Sequence, residues 1–172
     1  MNDKTPSPGK FSINYGLYLG ILLVLVSLTY YLTGNEFANT AQWISYAVMI
    51  TGIVLAQLNF RKNLGGYMSY GQALAVGVLT MFFASILTSL YTCILYQVID
   101  PSLKEQIRLM LEEQLVTQNM QEAQINIAMK IITIIQKPSV MAILEIFSGT
   151  FTGLIISFIT SIFTQKKADE IM

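Results

Sequence analysis

Residues 73–99 read ALAVGVLTMFFASILTSLYTCILYQVI, a run with no charged side chain. At about 1.5 Å of rise per helical residue, such a run extends roughly 40 Å as one helix, more than the roughly 30 Å of a bilayer's hydrocarbon core. Three further apolar runs accompany it, at 15–32, 41–60 and 140–163, and Glu145 is the one ionisable carboxylate in any of the four. The expectation is an all-α fold, an integral membrane four-helix bundle with spans at about 12–33, 41–60, 71–99 and 139–163 in one membrane domain, 1–172. Composition agrees, with 53% hydrophobic and 12% charged residues, where soluble domains carry about 25% charged. The formal net charge is zero, so no basic field points to nucleic acid as a partner. The lipid bilayer is the partner this composition implies.

Charge placement orients the spans. Lys4 and Lys10 precede the first, Arg61 and Lys62 follow the second, and Lys166 and Lys167 follow the fourth, while the first connection carries only Glu36. Lys and Arg near span ends stay in the cytoplasm. Both termini and the second loop are therefore expected inside, with residues 1–10 a flexible cytoplasmic lead. Lys104, Arg108, Lys130 and Lys137 in the third loop oppose this assignment mildly. Tyr15, Tyr18, Tyr30, Tyr31, Trp43, Tyr46, Tyr67 and Tyr70 fall at span ends, as in interfacial aromatic belts. The first run is longer than a signal-peptide core and no small-residue cleavage pattern follows it.

The third loop has its own pattern. Asp100-Pro101 opens a helix on which Leu103, Ile107, Met110, Leu111 and Leu115 recur at spacings of three and four. Asn119 with Glu122 resembles a capping box, and a second helix over about 120–136 carries Ile125, Ala128, Met129, Ile132 and Ile135 on one face, which Ile127, Ile131 and Ile134 widen. This amphipathic insertion, about 101–136, is expected outside the bilayer. Its apolar face rests on the membrane surface, packs on the tops of the spans, docks another chain through Leu103, Ile107, Leu111, Leu115, Ile132 and Ile135, or forms a ligand-binding cap.

Glu145 is the sharpest candidate for function. It lies roughly 10 Å along the fourth helix from its outer end, where an ionised carboxylate costs up to about 3 kcal/mol on insertion scales. It is therefore expected protonated, snorkelling or hydrogen-bonded, with Thr88, Tyr91, Thr92 and Tyr96 as partners. It serves either structure or a proton, cation or ligand site. Gly149 and Gly153, like Gly16 and Gly20, form Gly-x-x-x-Gly. Small residues let helices approach closely in lipid, inside one bundle or between two copies. Ser85, Thr88, Ser89 and Thr92 form a polar stripe that supplies interhelical hydrogen bonds or lines a path. Asn14-Tyr15-Gly16 resembles Ser69-Tyr70-Gly71, a faint trace of two repeated hairpins.

Catalysis finds no support. Histidine is absent and Cys93 is the single cysteine, so no Ser–His or Cys–His pair forms, no disulfide closes within the chain, and no imidazole or paired-thiolate metal site exists. No glycine-rich phosphate loop is present. Catalytic, cofactor and metal residues are all expected to be none. Cys93 reads as a small buried apolar residue, with an intermolecular link or reactive thiol as the alternative.

Several short motifs occur in order along the chain: Phe60-Arg61-Lys62, Gly65-Gly66-Tyr67, Ser69-Tyr70-Gly71-Gln72-Ala73 with Gly77, Asp100-Pro101, and Gly153-Leu154-Ile155-Ile156-Ser157 before Lys166-Lys167. Together they resemble a family of small bacterial membrane proteins known only as a domain of unknown function, widespread among Bacteroidetes, with four spans and a large loop between the third and fourth. The resemblance implies a bacterial inner-membrane protein and brings no catalytic residue, cofactor or substrate. Glu145 is not part of that pattern. The leading functional expectation is a membrane-embedded accessory or scaffold protein that binds a membrane-protein partner or a second copy of itself. The alternative is a small oligomeric transporter or proton-coupled permeation protein centred on Glu145.

Overall fold

A computed structural model describes residues 7–35 and 37–166. Among these the chain is helical throughout: α1 Pro8–Leu32, α2 Asn39–Asn63, α3 Tyr70–Ile94 continued by a π-helical turn Leu95–Ile99, α4 Ser102–Thr117, α5 Glu122–Ile135 and α6 Pro138–Thr164. Four helical stretches, namely α1, α2, α3 with its π turn, and α6, are long and apolar enough to cross a membrane, with mean hydropathies of 1.5 to 2.1. Lys4, Glu36 and Lys167, which entered the orientation argument, lie outside the described residues.

Local chemistry explains the helix ends. Ser7 caps α1 by accepting from Lys10 N at 3.4 Å, with Pro8 in the first turn, where its missing N–H is harmless. Pro8, Gly9 and Lys10 thus join α1 rather than the expected flexible lead. Gly34 closes α1 at φ +67, with Asn35 N donating to Tyr30 O at 2.9 Å and Gly34 N to Tyr31 O at 3.0 Å. Gly65 closes α2 the same way at φ +75, with Gly66 N on Arg61 O at 3.0 Å. These are Schellman ends, and the left-handed position is the reason for glycine. Asn119 makes a third, at φ 56, with Met120 N on Leu115 O at 3.2 Å.

That last end corrects the sequence reading. Asn119 terminates α4 and does not open α5, because asparagine tolerates the left-handed conformation the turn needs. The reciprocal capping box belongs to Gln121 and Gln124 instead, so α5 starts at Glu122. Similarly, Ala38 takes the cap position of α2 without a side-chain bond and Asn39 is already helical. The box the sequence hid is Ser69-x-x-Gln72. Ser69 N donates to Gln72 Oε1 at 2.9 Å while Gln72 N donates to Ser69 Oγ at 3.3 Å, opening α3.

The residues form two compact units, one up to Thr88 together with Ile146 onward, the other Ser89–Glu145. In the first, α3 meets α1 and α6 at glycines. A Cβ on Gly16 would stand 2.5 Å from Phe83 Cβ and 2.8 Å from Thr80 O, and one on Gly20 would be 3.0 Å from Leu87 Cβ. Gly153 faces Met81 and Gly149 faces Ser85 in the same manner. The order of these contacts makes α1 parallel to α3 and α6 antiparallel to it. Both Gly-x-x-x-Gly pairs therefore pack within the chain, against one helix. Gly71 has nothing within 4 Å of its Cβ position, so the two Tyr-Gly motifs that hinted at a repeat occupy different surroundings.

The core of this unit is mixed: beside the apolar Leu19, Ile53, Ala56, Phe60, Val76 and Met81 it encloses polar side chains that a water-soluble protein mostly leaves exposed. Ser12, Gln57, Thr80, Ser157 and Ser161 are fully buried. Leu17, Leu22, Leu55, Phe151, Phe158 and Phe163 are exposed. A hydrocarbon solvent favours this arrangement, since apolar side chains lose nothing by facing lipid and polar ones must find partners inside.

The second unit contains the antiparallel pair α4 and α5. Leu103 is fully buried and Ile107, Leu111, Leu115, Ile132 and Ile135 are half-buried. Of the six residues that the sequence offers as a docking face, Leu103 is enclosed within the unit and the other five keep partial exposure. A polar clasp closes the base of the pair. Lys104 Nζ donates to Gln97 Oε1 at 2.6 Å, Gln97 Nε2 to Gln136 O at 3.3 Å, and Gln136 Nε2 to Lys104 O at 2.8 Å. Cys93 is half-buried, with Sγ 3.5 Å from Pro138 O.

Candidate functional site

The densest polar cluster in the first unit surrounds Gln57. Ile53, Ala56, Gln57 and Phe60 form the buried face of α2, and Gly153, Ser157, Thr160, Ser161 and Thr164 form that of α6. Gln57 is wholly buried and uses both ends of its carboxamide. Nε2 donates to Ala73 O at 3.1 Å and to Ser161 Oγ at 3.2 Å, while Oε1 accepts from Thr164 Oγ1 at 3.1 Å. One side chain thus ties α2 to α3 and α6. Gly77 makes room for it, since a Cβ there would collide with Ser157 Oγ and stand 3.0 Å from Gln57 Nε2.

Around this knot, the Thr80, Ser157 and Thr160 hydroxyls are buried with no hydrogen-bond partner among the described residues. They are the points at which another polar group entering the bundle would be stabilised. Ser12 Oγ, in contrast, donates to Val76 O at 3.1 Å, joining α1 to α3.

Near Gln57 the unit carries its cationic end. Arg61 Nη1 donates to Thr164 O at 2.9 Å, where a cation offsets the negative end of the α6 dipole. Met68 and Lys166 exchange both backbone hydrogen bonds at 2.9 Å, and Lys166 Nζ stands 5.9 Å from the Tyr67 ring centre. Tyr70 Oη donates to Phe158 O at 3.0 Å. Arg61, Gly65, Ser69, Tyr70, Gln72, Gly77 and Ser157, which carry the family resemblance in the sequence, all have roles in this end of the unit.

Glu145 sits in the second unit, half-buried, and Oε1 accepts from Thr92 Oγ1 at 3.2 Å. Of the partners considered for it, Thr88 bonds Ser85 O on its own helix at 3.2 Å, and the Tyr91 hydroxyl is buried without a partner among the described residues. Ser85 Oγ donates to Met81 O at 2.7 Å, also on its own helix. The α3 stripe therefore divides: Ser85 and Thr88 turn back on α3, and Thr92 crosses to α6. Among the described residues no group of three His, Cys, Asp or Glu converges as a metal site would require.

Gln57 was missed in the sequence because depth was weighed only for charged groups. The signal was there, an amide in the run 41–60 in phase with Ile53, Ala56 and Phe60. Residues 14–166 match a family described as Protein of unknown function (DUF4199). No curated protein and no solved structure matches the chain.

Proposed function

This chain belongs to the DUF4199 family, and from that premise we propose that it is a multi-pass membrane accessory or scaffold protein, acting by association and without a catalytic step of its own. The observation that carries this reading is the outer face of α6. Only 11% of its apolar window is buried, against 22 to 44% in the other three spans. Phe147, Phe151, Ile155 and Phe158 are exposed along it at helical spacing, with Ile162 continuing the row, and the Phe147 and Phe151 rings stack at 6.4 Å with 7° between planes. A flat aromatic ridge gives a large contact area at low entropic cost, and helix association in lipid relies on such packing. Gln57, knotted and wholly buried, favours a closed bundle over an open path.

Affinity purification of the full chain in mild detergent, with mass spectrometry of companions and light scattering, tests the proposal. A stoichiometric second membrane protein is expected, released by Phe147→Ala with Phe151→Ala. A lone monomer overturns it. We further place the protein in a bacterial inner membrane with both termini and the Arg61–Tyr70 segment cytoplasmic. In a Cys93→Ala background, Lys62→Cys is expected to label from the cytoplasm and Asn35→Cys from outside.

The Thr92–Glu145 hydrogen bond favours one second reading, proton-coupled permeation. It requires that proteoliposome flux exist and be abolished by Glu145→Gln.

A further inference from the structure

We propose that α5 lies along the bilayer surface with Ile127, Ile131 and Ile134 in the boundary between headgroups and acyl chains, so that the occupant of its exposed apolar face is lipid. The three side chains are 60%, 51% and 53% exposed. At spacings of four and three they form a stripe about 60° wide on a helix of 3.6 residues per turn. The side turned inward carries Ala128, Met129, Ile132 and Ile135, all half-buried, and lies roughly a third of a turn away. Asn126, Lys130 and Thr133 occupy the remaining side, and Gln124 ends the isoleucine row at the start of the helix. The helix thus has one sector for its packing partner, one for water, and one apolar sector left over. The adjoining α4 leaves no such row, because exposed Leu109 and Val116 share their side with Glu105, Glu112 and Glu113.

Continuity identifies the occupant. α5 ends at Ile135 and the membrane-capable α6 begins at Pro138, so the end of α5 is held within two residues of a span. The first turns of α6 expose Ile143 and Leu144 in the same unit, and that surface faces acyl chains. Exposed Lys130 and Lys137 border the isoleucine stripe, placed for lipid phosphate, as in helices that settle about 5–10 Å into this boundary. A second copy fits less well, since three half-exposed isoleucines present far less than the roughly 800 Å² per partner of a stable interface.

The test uses the purified full chain with Cys93→Ala, a single cysteine at Ile131→Cys, Ile127→Cys or Asn126→Cys carrying a fluorescent label, in vesicles of phosphatidylethanolamine and phosphatidylglycerol. Labels at 131 and 127 are expected to be quenched several-fold more by lipid-borne nitroxide than by aqueous iodide, with the reverse at 126. Iodide reaching 131 and 127 as readily as 126 overturns the proposal. So does shielding of both from either quencher, which assigns the face to protein. Each variant enters the assay only as a monodisperse peak, and the two isoleucine sites give independent readings. The stripe is on a different helix from the α6 ridge, so its failure leaves the association reading standing.

Discussion

The Gln57 bundle and the α4–α5 pair differ in what they enclose. In the first, Ser12, Gln57, Thr80, Ser157 and Ser161 are buried beside Leu19, Ile53 and Phe60, while other leucines and phenylalanines face outward; in the second, Leu103 is inside and Glu105 and Arg108 are outside, paired at 3.6 Å. The same rule produces both. A group that its surroundings solvate poorly is turned inward, so hydrocarbon draws polar side chains into a bundle and water draws apolar ones into a helix pair. The forces holding each region differ accordingly. Lipid tails are as apolar as leucine, so the bundle depends on close glycine contacts and internal hydrogen bonds. The α4–α5 pair depends on removing apolar area from water.

That contrast is easiest to break at Gly77. Gly77→Val would drive a side chain into Ser157 and Gln57 and is expected to cost about 3 kcal/mol or more, the upper range for overpacking, with the polar knot lost as well. Gly71→Ala, with open space around it, is the matched control and should leave the melting temperature in detergent almost unchanged. Equal effects at the two glycines would remove the packing role assigned to Gly77.

Leu103→Ala comes next. About 2–4 kcal/mol of lost burial and cavity formation should open α4–α5 and make the turn near Asn119 a protease site, while leaving the first unit's melting unaltered. Leu109→Ala, on an exposed position, should do neither. Gln57→Met keeps the volume but strands Ser161, while the Thr164 hydroxyl still donates to Thr160 O at 3.1 Å, for an expected loss of about 1–2 kcal/mol, read by thermal unfolding. Smaller still, Glu145→Gln retains an oxygen to accept from Thr92 and should shift stability by less than about 0.5 kcal/mol. It should also leave companion capture intact if association is the role.

How legible these features were depended on how local their causes are. Gly34 and Gly65 could be read as turn residues from their neighbours alone. Asn119 could not, because asparagine suits both a helix start and a left-handed end, and Gln121 with Gln124 decides which is used. The six apolar residues of α4 and α5 were visible as faces, but a face does not name its cover. Glu145 drew attention through its charge, while Gln57, neutral and wholly buried, ties α2 to α3 and α6.

By itself the sequence determined how many membrane-capable helices there are and roughly where each begins and ends, because hydrocarbon thickness and helical rise turn a run of apolar residues into a length. It also determined the helical insertion, whose three-and-four spacing is a property of one segment. Only the tertiary structure decided that Gly16, Gly20, Gly77, Gly149 and Gly153 all meet α3–helix contacts, that Gln57 joins three helices, and that Leu103 alone of the α4 and α5 face is fully enclosed. Those outcomes depend on which surfaces pair, and pairing is set by shape and hydrogen-bond geometry between residues up to 107 positions apart, which no local pattern encodes.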